Sequence, residues 1–161
     1  MTYRIRGLDP ALFADQFALD DAGLARRCAR REIAGEGRFP CRVTLEDAAP
    51  GEALLLTHHV NHAVESPYRN AFAIYVRAEA RAAADYVDSL PPVLRGRPIA
   101  LRAYTAGGDL HRAALALADD VDAQLRALLA DGQVAYIDAH NAMHGCFAAR
   151  IERHGHEVCF T

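Results

Sequence analysis

Apolar residues alternate with polar ones at Val43 and Leu45 against Arg42 and Thr44, whereas at Val121, Leu125, Leu128 and Leu129 they recur every three or four positions. The first period belongs to a strand, whose side chains point alternately to two faces, and the second to a helix with one apolar stripe. The chain therefore predicts a strand over 43–45, entered from Cys41, and a helix over 120–130. Asp119 or Asp120 can cap that helix and complement its dipole, Asp122, Gln124 and Arg126 stay wet, and Gly132 ends it. Its stripe should cover a sheet.

Further strands are predicted at 53–57, 72–76, 99–104, 134–138 and 146–151, with a polar excursion from His58 to Asn70 and another from His140 to Gly145. A short strand at Tyr3 and Ile5 comes first, followed by Asp9-Pro10, a cap with proline at its permitted helical position, and a short helix over 12–17. Asp20 or Asp21 caps a turn or short helix carrying Leu24, Cys28 and Ile33 before Gly35, Gly37 and Pro40 stop it, so the opening third reads as a helical cover. Residues 78–87 are alanine-rich and read as a helix with a poorly specified packing face, broken by Pro91-Pro92. Ala106-Gly107-Gly108-Asp109 favours a hairpin over an early helix, and His154-Gly155 turns the chain into an edge strand at Val158, Cys159 and Phe160. Short strands separated by turns, without alternating βαβ units, predict an α+β fold with a mainly antiparallel β-sheet covered by a few helices. No repeat or linker divides residues 1–161, which read as a single domain.

Composition narrows the partners. Eighteen basic residues, all arginine, face 21 acidic ones for a net charge of -3, so no cationic field is available for a nucleic-acid backbone. Arginine suits forked recognition of carboxylate or phosphate, although a GC-rich coding bias produces the same excess. No secretory leader or membrane-length apolar run is read, and a cytoplasmic protein is expected. Cys28, Cys41, Cys146 and Cys159 form no C-x-x-C pair and are expected as free thiols.

The versatile side chains crowd two segments, His58 to Arg69 and His140 to Cys146. His58 and His62, like His140 and His144, have the spacing of a helical metal pair, yet neither carries the glutamate of H-E-x-x-H, so no metal is expected and Cys41 and Cys146 are only alternative ligands. No G-x-G-x-x-G, phosphate loop or calcium loop occurs, and no cofactor is expected. In Ser66-Pro67-Tyr68-Arg69-Asn70 the proline restrains the backbone, Tyr68 offers an aromatic wall and Arg69 a fork of donors. Arg42 could add a second fork; alternatively Arg69 simply pairs with Glu65. Cys146 or Ser66 could act as a nucleophile with His140 as base and Asp138 orienting it, but Ser66 lacks the G-x-S-x-G elbow and Cys146 reads equally as a core residue.

Phe39-Pro40-Cys41-Arg42, Ser66-Pro67-Tyr68-Arg69, 99–104, Val134-Ala135-Tyr136-Ile137, His140-Asn141-Ala142 and the run from Gly145 to Ile151 resemble the DUF1203 family of small bacterial proteins of unknown function. The resemblance spans nearly the whole chain and implies a single bacterial domain. It marks His140-Asn141 and Gly145-Cys146 above the extra histidines His58, His62 and His144, and transfers no activity.

The leading expectation is a binding module for a small anionic molecule using Arg42, His58, Ser66, Tyr68, Arg69, His140 and Asn141. A hydrolase or transferase using Cys146 with His140 is the second reading, and a noncatalytic structural or protein-interaction domain the third.

Overall fold

The computed structural model describes residues 2–155. Five strands and a short edge strand form the larger sheet: β1 (Thr2–Arg6), β5 (Asp85–Val87), β6 (Ile99–Tyr104), β7 (Leu110–Ala116), β8 (Tyr136–Asn141) and β9 (Phe147–His154), in the order β5-β1-β9-β8-β6-β7. A second sheet joins β2 (Ala29–Ile33), β3 (Ala53–His62) and β4 (Asn70–Arg77) in sequence order, and every paired strand in both sheets is antiparallel. The helices are α1 (Ala14–Phe17), α2 (Asp21–Arg26) and α3 (Val121–Leu129), with 3₁₀ turns at Pro10–Phe13 and Pro92–Leu94. The fold is α+β, as its short antiparallel segments predict.

Strand alternation gives the larger sheet two unlike faces. Ile5, Leu101, Ile137, Ala139 and Ile151 are buried in one cluster with Val121, Leu125, Leu128 and Leu129 of α3, which lays its predicted stripe on the sheet. The register of the three central strands aligns Arg102 with Asp138 and Asp138 with Arg150, so beside Leu101, Ile137 and Ile151 each strand turns a polar residue to the other face. That face receives the smaller sheet: Asn61 hydrogen-bonds Asp138, and Phe72 meets His140 edge to face. The smaller sheet is covered in turn by the first helices, with Phe13 and Leu24 packed among Leu55, Ile74 and Val76.

The amino-terminal caps form as expected: Asp9 accepts from the Ala11 amide at 2.9 Å and Asp20 from the Gly23 amide at 2.7 Å. The helix opened by Asp20 is shorter than predicted, because Cys28 adopts φ 52° and redirects the chain into β2, which takes Ile33 with it. Residues 43–45 are a turn rather than a strand. Their alternation reflects burial of Cys41, Val43 and Leu45, while the backbone coils round the Cys41 sulfur, which accepts from the amides of Val43, Thr44 and Arg77 at 3.4, 3.5 and 3.4 Å. Leu45 closes the coil at φ 54°. Gly7 is required beneath it, since a Cβ there would lie 1.8 Å from the Val43 carbonyl oxygen.

The alanine-rich 78–87 is not helical: it turns and then supplies β5 at the sheet edge, in keeping with its lack of a large apolar stripe. The polar excursions are shorter than predicted too. His58 to His62 continues β3, and His140 and Asn141 continue β8. The 106–109 reversal does form a hairpin, with Gly108 at φ 85°. The expected edge strand at 158–160 lies outside the described residues. Among the described residues no helix is long and apolar enough to cross a membrane.

Candidate functional site

The polar face of the larger sheet begins with Asp138, which is fully buried. Arg150 grips its carboxylate with both arms of the fork, Nε to Oδ1 at 2.7 Å and Nη2 to Oδ2 at 3.0 Å, and also donates to the Asn61 carbonyl at 3.0 Å. The guanidinium lies 4.3 Å over the Tyr136 ring. Burial works against the Arg150 charge, but the Asp138 carboxylate outweighs it and holds the arginine above its ordinary pKa. His62 continues the row: Nδ1 donates to the Tyr68 carbonyl at 3.0 Å, and Nε2 hydrogen-bonds the Tyr136 hydroxyl at 2.8 Å. Its ring stacks on Tyr104 with centroids 4.1 Å apart. Such a network ties the two sheets together, because each member satisfies a group on the other sheet.

His140 is also fully buried, boxed edge to face by Phe72 at 5.1 Å and Phe147 at 6.0 Å. Its Nδ1 donates to the Gly145 carbonyl at 3.1 Å, and its buried Nε2 has no hydrogen-bond partner. Burial, reinforced by the Arg102 charge, pushes its pKa down to about 4 against the weaker opposing pull of the Gly145 carbonyl and Asp138. The ring is therefore neutral at pH 7.

Beside Phe72 the surface opens into a cleft of about 670 Å³. Leu56, Phe72 and Ala73 supply apolar wall, and Arg38, Arg42, Arg97, Asn141, His144 and Cys146 supply polar groups; no carboxylate lies among the lining residues described. Arg42 is 2 % exposed and Arg97 8 %. Arg42 donates from Nε to the Phe147 carbonyl at 2.7 Å, from Nη1 to the Pro40 carbonyl, and from Nη2 to Cys146 Sγ at 3.2 Å. Burial lowers its pKa, and Cys146 works in the opposite direction. A guanidinium carries five N–H groups, so two of its donors remain beyond these three bonds. Arg97 pairs through Nη2 with Asp47 at 2.5 Å, while its Nε is buried without a partner.

The β8–β9 hairpin sets the far wall. The Asn141 amide donates to the Cys146 carbonyl at 2.9 Å and the Gly145 amide to the Asn141 carbonyl at 2.8 Å. Asn141 Oδ1 accepts from the amides of Met143 and His144 at 3.0 and 3.1 Å. Gly145, at φ 73°, lets the chain return so that Cys146 faces the cleft. Met143 stands 85 % exposed at the rim.

A family model described as a protein of unknown function, DUF1203, matches residues 38–153. The chain belongs to the DUF1203 family. The match takes in the whole polar row and every residue of the cleft, while β1, β2, α1 and α2 lie outside it. Neither a curated protein nor a solved structure matches the chain.

In this DUF1203 chain, four of the residues singled out from sequence meet in the cleft: Arg42, Asn141, His144 and Cys146. His140 lies behind the Phe72 and Phe147 rings, and the polar partner of Cys146 is Arg42 rather than His140. The remaining candidates lie outside the cleft lining. His58 and Arg69 are exposed, Ser66 donates to Asp109 at 2.8 Å, and Tyr68 gives its carbonyl to His62. Among the described residues, no three His, Cys, Asp or Glu side chains gather to hold a metal. Cys28, Cys41 and Cys146 are free thiols. The cleft residues that sequence reasoning missed are Arg38 and Arg97. Each sits in a turn-rich stretch, Gly37-Arg38-Phe39-Pro40 and Gly96-Arg97-Pro98, and an arginine fixed between glycine and proline was the available signal.

Proposed function

We propose that this protein binds a small organic anion, a carboxylate or a phosphate, in the cleft between the β8–β9 hairpin and β4. The observation that carries the reading is the lining: three arginines, of which among the described residues only Arg97 is paired with a carboxylate, that of Asp47 behind the wall, and no carboxylate among the lining residues described. Two of the three are buried, so their forks are held in place before a ligand arrives and act with little screening. The volume is within the range of small-molecule sites, about 300–1,000 Å³. The anion reading thus keeps Arg42 from the sequence-based set and exchanges Arg69 for Arg38 and Arg97. A cytoplasmic setting goes with it, since the free thiols of Cys28, Cys41 and Cys146 suit a reducing compartment.

The test is a thermal-shift and calorimetric screen of small carboxylates and phosphates at two salt concentrations, followed by Arg38→Ala and Arg69→Ala. Arg38 is exposed at the rim and can be removed without a cavity. At least one anion should bind in a salt-sensitive manner, with affinity falling about two- to five-fold in Arg38→Ala and unchanged in Arg69→Ala. A panel without a binder, or a binder indifferent to Arg38→Ala, overturns the reading.

A further inference from the structure

We propose that Cys146 is the reactive thiol of the cleft and forms a covalent bond with small electrophilic carboxylates that the arginines hold against it. The proposal rests on the anion-binding reading and adds a reaction to it.

Three observations converge on the sulfur. Cys146 is partly accessible and lines the cleft, whereas Cys41 is fully buried and its sulfur is occupied by three backbone amides. The Arg42 Nη2 donor lies 3.2 Å from Cys146 Sγ, so a fixed positive group already faces the atom that carries negative charge when a thiol reacts. Independently, Arg97 lines the same cleft and is 8 % exposed; its Nη2 is paired with Asp47, but its Nε is buried with no partner among the described residues. A ligand carboxylate held by these arginines brings its own α- or β-carbon toward the sulfur. His140 takes no part as base, because its Nδ1 is committed to Gly145 and its ring is walled off by Phe72 and Phe147.

For an α-halo acid the balance is simple. The thiol proton passes to water, the sulfur lone pair forms the S–C bond, and the C–halogen bond breaks with its electrons leaving as halide. No oxidant or reductant is needed. Anion capture should then dominate reagent choice: a negatively charged electrophile is concentrated by the cleft, and a neutral one of the same size is not.

Iodoacetate and iodoacetamide make the comparison directly. Each is added to the native full-length protein, and modification of the Cys146 peptide is followed in time by mass spectrometry. The reference is the same cysteine in urea-unfolded protein. The ratio of the iodoacetate rate to the iodoacetamide rate at Cys146 should be about ten-fold higher in the native protein than in the unfolded chain. It should fall toward the unfolded ratio in Arg38→Ala and on adding salt. Equal ratios in the two states, or a native Cys146 that neither reagent modifies, overturn the proposal. Reversible anion binding by Cys146→Ser separates the two claims: binding there with equal alkylation ratios in the wild type removes the reaction alone, and loss of both removes the anion site as well.

Discussion

On one face of the larger sheet, Leu101, Ile137 and Ile151 are buried in one cluster with Leu125 of α3; the adjacent residue on each strand, Arg102, Asp138 and Arg150, faces the smaller sheet. The same three strands thus carry two interfaces with different rules. The apolar one is summed from many small contacts and tolerates neighbours of similar shape. In the polar one each group depends on a named partner: Asp138 on Arg150 and Asn61, His62 on Tyr136 and Tyr68. Removing a partner there leaves a desolvated group unpaired, so losses should be coupled rather than additive.

Leu125→Ala gives the largest expected effect. The side chain is fully buried in the helix–sheet cluster, and its truncation should destabilise by about 2–5 kcal/mol in urea unfolding, with the α3 cavity only partly refilled. A loss below about 1 kcal/mol would mean that the helix–sheet contact is not the principal core.

On the polar face Asp138→Ala should cost about 3–4 kcal/mol, the lower part of the range for a broken buried pair, because Arg150 can turn partly to water. The sharper measurement is the double-mutant cycle with Arg150→Ala. A coupling energy of about 1 kcal/mol or more is expected, and strictly additive losses would erase the distinction between the two faces.

The third stability effect is a loss that depends on pH and is absent at pH 7. Since burial lowers the His140 pKa from 6.5 to about 4, the unfolded chain takes up a proton before the folded one does. The contribution is therefore complete above pH 6.5 and is lost as pH falls from 6.5 to about 4, amounting to about 3 kcal/mol at the lower end. Unfolding free energies of wild type and His140→Phe, measured across this window, should diverge with the wild type losing more. Parallel curves would place the ring in contact with water.

Much of the larger sheet was legible because its strands alternate or run continuously apolar, and α3 because Val121, Leu125, Leu128 and Leu129 hold a helical period. The errors have physical causes. His58 to His62 and His140-Asn141 read as loops because a strand packed against a polar layer has polar side chains where a hydrophobic core would have apolar ones. Val43 and Leu45 read as a strand because burial on alternate positions does not require extended backbone, and here the chain coils round a sulfur instead. In the cleft, Arg42, Asn141 and Cys146 were visible as side chains whose chemistry had to be used somewhere. Arg38 and Arg97 were not, since they are 59 positions apart in sequence and meet only through the packing of the turns that hold them.

Arg42 has one further consequence, for anyone wishing to redesign the pocket. Its backbone amide donates to Tyr75, its carbonyl accepts from Leu8, and its guanidinium ties the Pro40 turn to the start of β9, so the residue is a rivet between the two sheets as well as a wall of the cavity. Selectivity cannot be tuned there without loosening the scaffold. The adjustable positions are the ones at the mouth, Arg38, Met143 and His144, where charge and size can be exchanged over a floor that stays put. A library confined to those three would sample ligand preference while leaving foldability nearly constant.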